Sequence, residues 1–566
     1  MQKNWKVFPK ISEDFKNKFP KINQIILQLL YNRGLDTQEK IDQFLLPDYS
    51  RDVYNPLIFL DIKRAVERIY QAIEKDEKIA IFGDYDSDGI TATAILFFAL
   101  NKIGAKNVLT YIPNRGENGY GLNKEAVNNL ADKGVKLIVT CDCGITGIEE
   151  VELAKQLGVD VIITDHHCEP EQLPSAFAII NPQLSREKYP FRFLAGVGVA
   201  FKLIQALFLD QKCQIKNKEA VEKWMLDLVA VGTVADLMPL LGENRVLVKY
   251  GLIVLNKTAN FGLRALIQKS SLNLGDIDTT SITYQISPRL NAAARITHAD
   301  EALDLILSQE TAEAEKLADK LNLINKKRQQ EVDKIFQEIQ KSVPSDFSDK
   351  VLVIFGADWP KSVLGLCANR LVEQYYCPVI LFSRKNNEVT GSGRSIPEFD
   401  LYQSLNKLKK YFTRFGGHAG AAGLTLKDFG DFEKFKKDLS TIAEQELKGK
   451  ILGPSVKIDA EVSLDDINWS FYDELKKFEP FGKNNSAPNF LAKNIHLNDL
   501  QTLGNNGQHC RLFVNGGSKM IFFGAKGQVD DLKIGDSIDV VFQAGINQWN
   551  GQQELQLKVI ALKKSK

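Results

Sequence analysis

The stretch VDVIITDHH, residues 159–167, decides how this chain is read. An apolar run of strand length stops at an aspartate and two histidines, two of only six histidines in 566 residues. Side chains that bind protons or metals have no packing reason to sit together at a strand tip. Two earlier stretches have the same form: KIAIFGDYD (78–86) ends in Asp84 and Asp86, and VKLIVTCDCG (135–144) carries Asp142 near its end. Helical patterns separate them, ITATAILFFALNKIG (90–104), LNKEAVNNLADKG (122–134) and IEEVELAKQLG (148–158), each closed by a glycine. Strands and helices that alternate, with continuous apolar strands, predict an α/β lobe with a parallel sheet covered on both faces. Ligands of such sheets bind at the carboxyl ends of the strands. The polar tips are therefore expected to meet in one crevice.

Outward from this unit the chain divides into further parts. Residues 1–60 read as a mostly helical N-terminal region of the first lobe, and 61–298 as the lobe itself. WMLDLVAVGTVADLMPL (224–240) is a mainly apolar helix with Asp236 near its end. Residues 299–343 form a charged connector of one long helix or two consecutive ones, suited to join two lobes. A second α/β lobe spans 344–450 and contains the glycine-rich FGGHAGAAGLTL (415–426). In 451–566 short β-like runs alternate with Gly and Asn turns, which predicts a small β-barrel of OB-fold type.

Composition is that of ordinary globular protein, 44% hydrophobic and 25% charged with a net charge of +1, so a nucleic-acid partner must be held by local patches. Seven cysteines in so long a chain fit a reduced, cytoplasmic compartment. The C-x-C of 141–143 lacks the spacing of a zinc site. No signal peptide or membrane-spanning run is read, and no Walker sequence, so neither membrane nor ATP is expected.

Asp84, Asp86, Asp142, His166, His167 and Asp236 carry the chemistry. Singly, each has an ordinary reading: an aspartate after a strand caps helices, DYDSDG is a turn without the glutamate of an EF-hand, and a His pair can be a satisfied core pair. Jointly, carboxylates at neighbouring strand tips repel unless a cation lies between them. Oxygen ligands with imidazole favour Mn²⁺ or Mg²⁺, and two ions sharing a carboxylate suit phosphoryl displacement.

FGDYDSDGIT, TCDCGI, ITDHH and VGTVADLMPL resemble the four motifs of the DHH phosphoesterases, and GSGRS (391–395) with GGHAGAAG (416–423) resembles the DHH-associated domain. LAGVGVAFKL (194–203), ISPRLNAAAR (286–295), FEPFGKNNSAPNF (478–490) and LYNRGLDTQEKIDQFLLPD (30–48) narrow the resemblance to the RecJ exonucleases. It implies 5′-to-3′ removal of nucleotides from single-stranded DNA in repair and recombination, with a helicase and single-strand binding protein as partners. It implies that Asp86, Asp142, His166 and Asp236 hold one ion, and that Asp84 with the bridging Asp142 holds a second. His167 would face the scissile phosphate, and Asp165 would orient His166 or His167. Ser392 and Arg394 would receive the terminal phosphate, and Arg295, Arg289, Asn291 and His418 would reach the same cleft. Phe513, Phe522, Phe523, Phe542 and Trp549 are candidates for stacking in the barrel. The chain departs from the family at Pro360 and Ser362 in DWPKSVLG, at Ala294 in RLNAAAR and at Cys141 in TCDCG, none of them an implied ligand. Phosphodiesterases of short oligonucleotides or cyclic dinucleotides are the alternative, and an inactive scaffold on the same fold is a further one.

Overall fold

The computed structural model describes residues 3–114, 121–344, 347–385, 388–504, 507–549 and 552–565. Its first sheet is wholly parallel, in the order Val108–Tyr111, Lys78–Gly83, Val135–Cys141, Asp160–Thr164, Ala178–Ile180. Strand residues alternate between two cores. Ile79, Ile81, Leu137, Val139 and Ile162 enter one apolar cluster, while Ala80, Phe82, Ile138, Val161 and Ile163 enter the other. Both faces are thus covered, as continuous apolar strands require.

The register places the site. Gly83 lies opposite Cys141, Cys141 opposite Thr164, and Thr164 opposite Ile180. The ladder runs one residue further, with Asp84 N donating to Cys141 O, Asp142 N to Thr164 O and Asp165 N to Ile180 O. Three carboxylates therefore leave adjacent strands at one level. The helix Ser87–Lys102 follows the first tip, and Gly89 lets it approach: a Cβ there would stand 2.6 Å from Asp84 N.

The connector is a short helix, Asp300–Leu307, and then one of 32 residues, Thr311–Ser342. The second lobe is a mixed sheet ordered Phe412–His418, Ala421–Leu426, Glu388–Arg394, Val379–Lys385, Leu352–Gly356, with only the last pair parallel. The last domain is a closed five-stranded barrel, Phe490–Leu503, His509–Val514, Lys519–Phe522, Gln552–Lys564 and Ser537–Trp549, the last pairing back to the first.

One expectation is corrected. Residues 1–60 do not belong to the first lobe as a unit. Ile11, Phe15, Leu27, Leu30 and Phe44 share a core with barrel residues Phe478, Phe490 and Phe542, and Asn4–Val7 pairs in parallel with Ser455–Ile458. The stretch near Tyr49–Phe59 packs on the core of the first lobe. The helical faces are amphipathic either way, so their period shows that they are buried but not against what. Arg245, 2% exposed, joins the parts by donating to the carbonyls of Phe44, Lys477 and Glu479. Arg245→Ala would leave three carbonyls without their cation, and a loss of about 3 kcal/mol is expected in urea denaturation.

Candidate metal centre

Each polar tip is held by its own local structure. Asp86 caps the helix Ser87–Lys102, its Oδ1 accepting from Asp88 N and Gly89 N. Asp142 has φ +62°, rare for a residue with a side chain and the kind of strain that clusters at functional sites. Gly196 opens the helix Gly196–Leu209 directly over it: a Cβ there would stand 2.6 Å from Asp142 Cγ. Asp236 ends the helix Leu226–Ala235.

These groups meet. His166 Nε2 is 3.0 Å from Asp142 Oδ1 and 3.6 Å from Asp236 Oδ2. Ligand atoms of Asp84, Asp86 and Asp142 lie within 4.8 Å of one another, as do those of Asp142, His166 and His167, and those of Asp88, His166 and Asp236. Asp142 belongs to two of the groups. Asp84, Asp86, Asp142, His167 and Asp236 border a cleft of about 280 Å³ that Asn291, Ala294 and Arg295 also line. Asp165 stays behind the cleft, fully buried. Its Oδ1 accepts from His166 N, His167 N and the His167 ring at 2.7 Å, and its Oδ2 from Ile145 N.

Charge is distributed unequally. Burial and the neighbouring carboxylates of Asp88, Asp86, Asp84 and Asp236 raise Asp142 well above the usual range. Burial with Asp88 pushes Asp236 up to about 7. The two histidines diverge: burial lowers His166, whereas the hydrogen bond and charge of Asp165 overcome burial and raise His167 to about 9. Carboxylates raised by burial and by crowding one another are a donor set that divalent ions fit, with hard oxygens and a neutral imidazole.

Asp88 escaped the sequence reading. It is 1% exposed and accepts from Gly196 N at 2.7 Å and Val197 N at 2.8 Å, so it anchors the helix that covers Asp142. An acid in the first turn of a helix is so common that its position gave no signal.

The expected substrate residues divide. Arg295 lines the cleft and donates to Ser362 O of the second lobe. Asn291 also lines it, but its Oδ1 accepts from Ser87 N and Oγ, so it steadies the turn that carries Asp86. Arg289 points to the connector, donating to Asn322 Oδ1 and Gln285 O. In the second lobe Arg394, Ala421 and His418 form one cross-strand row, and Ser392, Gly423 and Gly416 the row two residues away on the same face. A Cβ on Gly416 or Gly423 would meet nothing within 4 Å, so the floor beside Ser392 and Arg394 is bare backbone. Gly365 of the helix Lys361–Tyr375 lies against Arg394, one turn from the Ser362 carbonyl that Arg295 reaches. In the barrel, Phe522 and Phe542 are core, Phe513 is half-buried and Phe523 is exposed; the Trp549 side chain lies outside the described residues.

The charge pattern sets a pH dependence. Asp88 and Asp236 hold protons up to about 7 in the folded protein and release them near 4 when unfolded, so metal-free stability falls as pH rises between these values. Bound Mn²⁺ would replace those protons. The rise in melting temperature on adding Mn²⁺ is expected to be small at pH 5.5 and large at pH 7.5; an equal rise at both would contradict the assignment.

Three family descriptions match the chain in order: DHH family, N-terminal domain, over residues 78–233; DHHA1 domain over 348–446; and RecJ OB domain over 458–561. The single-stranded-DNA-specific exonuclease RecJ of Bacillus subtilis is 37% identical over 95% of this chain and 68% of its own length, and that of Dickeya dadantii is 32% identical over 94% and 95%. The crystal structure of RecJ from Thermus thermophilus in complex with Mn²⁺ superposes with a TM-score of 0.84 at 26% identity, covering 100% of this chain and 80% of that one. Its Mg²⁺ complex gives 0.79 at 25% identity, covering 100% and 79%. With its domains in this order, and with relatives of such identity matched along most of its length, the chain belongs to the RecJ family of single-stranded-DNA-specific exonucleases.

Proposed function

We propose that this protein removes mononucleotides from the 5′ end of single-stranded DNA by phosphodiester hydrolysis with two Mn²⁺ or Mg²⁺ ions. The carrying observation is the shared carboxylate: Asp142 stands both with Asp84 and Asp86 and with His166. Asp86, Asp142, His166 and Asp236 would hold one ion, and Asp84 with Asp142 the other. Two such ions supply an activated water and neutralise charge on the phosphodiester.

The side chains take complementary parts. His166, its pKa lowered, is the neutral imidazole that a metal needs. His167, raised to about 9 in the metal-free protein chiefly by Asp165 against burial, has its Nδ1 engaged by Asp165 and its ring lining the cleft. It can donate to a phosphate oxygen while Asp165 fixes its orientation. Ser392 and Arg394 above the bare glycine floor suit a terminal phosphate, because a guanidinium fork matches phosphate geometry. Arg295 reaches the same helix as Arg394, and His418 shares its row. A monoester held there while the first diester meets the ions would account for single-nucleotide steps, and the resemblance to the RecJ exonucleases is the support for 5′ polarity.

A helicase that opens duplexes and a single-strand binding protein are the proposed partners, and the cytoplasm the proposed location, in repair and recombination. Among the described residues no helix is long and apolar enough to cross a membrane.

Single strands labelled separately at each end test the reading. With Mn²⁺ the 5′ label is expected to appear first, as mononucleotide. Asp142→Asn should lower turnover by about 10³-fold or more, as loss of a group acting in a unit does. Faster cleavage of dinucleotides than of long strands would favour the short-oligonucleotide phosphodiesterase.

A further inference from the structure

The helix Leu226–Ala235 ends in an unusual way directly after Asp236. Leu237 N donates to Val234 O and Met238 N to Thr233 O, the pair of bonds that closes a helix through a left-handed residue. Glycine is usual at that residue. Here it is Leu237, with φ +55° and a side chain 54% exposed. Strain of this kind persists where the surroundings impose it. Its outcome is an apolar side chain set at the edge of the metal cleft.

Leu237 lines a cavity of about 330 Å³ together with Tyr284, Phe481 and Lys483. Tyr284 is 74% exposed and sits in the π-helical turn Ile282–Ile286. Such turns are rare and concentrate at functional sites. Ile282 and Ile286 on either side of it are fully buried, so the turn is anchored while the ring stands out. Polar groups of the wall are already engaged. Thr279 Oγ1 donates to Phe481 O, Thr283 Oγ1 to Thr279 O and Leu240 N to Lys483 O. What the wall offers is therefore apolar and aromatic surface with one lysine. Asp236 borders the metal cleft and Leu237, the next residue, borders this cavity, so the two are neighbours.

We propose that this cavity is a base-stacking subsite: one unpaired nucleobase of the single strand enters it and packs against Tyr284, Leu237 and Phe481, while Lys483 supplies positive charge for its phosphate. The inference rests on the nuclease reading and deepens it. The cavity is at the small end of ligand pockets, which run from roughly 300 to 1,000 Å³. A base that is paired and stacked within a duplex cannot enter, so the subsite also selects single strands. Every base has a π-face, so stacking on apolar and aromatic walls is tolerant of sequence. Past Phe481 a further groove begins, but there Lys249, Lys476 and Lys477 are matched by Asp278, Asp473 and Glu479. That charge balance recommends no phosphate track, and the subsite ends at the first cavity.

The test uses the full chain loaded with Mn²⁺ and a set of single strands, each with one abasic residue, placed stepwise from the 5′ end. The wild type is expected to lose roughly tenfold in kcat/KM when one particular position is abasic, as loss of one stacked base does. Tyr284→Ala, a change at an exposed side chain, is expected to fold. It should lose roughly tenfold on the intact strand and nothing further on the strand that is abasic at that position. Tyr284→Phe keeps the ring and should keep wild-type rates. Leu237→Gly suits the positive φ and should follow Tyr284→Ala. Wild-type rates for Tyr284→Ala on intact strands, or abasic losses in it equal to the wild type's at every position, would overturn the subsite and leave the nuclease reading intact. A wild-type chain that cleaves no single strand would remove both.

Discussion

Repulsion between carboxylates at in-register strand tips is the constraint on which the rest of the molecule depends. Gly83, Cys141 and Thr164 are level in the sheet, so Asp84, Asp142 and Asp165 must emerge side by side. Each is accommodated differently. Asp165 is kept ionised, its pKa lowered against the effect of burial by the His167 ring and by backbone N–H groups. Asp88, one turn away, lies on the N-terminus of Gly196–Leu209, yet burial still raises it to about 7. Asp142 and Asp236 are raised as Asp88 is, by burial and by their carboxylate neighbours. The fold thus keeps Asp165 charged and leaves a cluster of raised acids that cations would relieve.

That arrangement sets demands on the surrounding helices. An acid at the tip of a parallel strand is useful only if the following helix does not push it away. Gly89 and Gly196 are the two positions where a side chain would strike the backbone or carboxylate of a tip residue. Asp142 has a positive φ, and its Oδ1 stands 3.0 Å from His166 Nε2 of the neighbouring tip. Backbone strain of this kind persists only where packing over-determines it, and the tip lies between two helices and a fully covered sheet.

How much was legible in the sequence follows from which interactions are local. The strand–helix rhythm from Lys78 to His167 has a period and punctuation of its own, so the parallel sheet and its acidic tips were readable, as were the closed barrel and the long connector. Asp236 stood out as an acid ending an apolar helix. Asp88 did not, because its partner Gly196 lies 108 residues away and a first-turn acid has an ordinary explanation. The membership of residues 11–44 in the barrel core depends on pairing between Asn4–Val7 and Ser455–Ile458, which no local pattern reports. Arg289 and Asn291 carried a resemblance that placed them near the cleft. The helical phase decides that Asn291 faces the Asp86 turn and Arg289 the connector.

The same long-range contacts explain why the site suits a polymer rather than a small molecule. Leu240 follows Asp236 by four residues, and its N–H donates to Lys483 O in the segment that opens the barrel. Thr279 Oγ1 donates to Phe481 O, and Arg33 holds Asn485 and Ser486 from the N-terminal region. The buried Asn485 ties that segment to itself through the carbonyls of Phe478 and Pro480. The barrel is therefore fastened to the first lobe next to Asp236 rather than tethered by a loose linker. A strand lying along that fastened surface would have little further ordering to do on binding, and it would gain contacts there that a dinucleotide is too short to make.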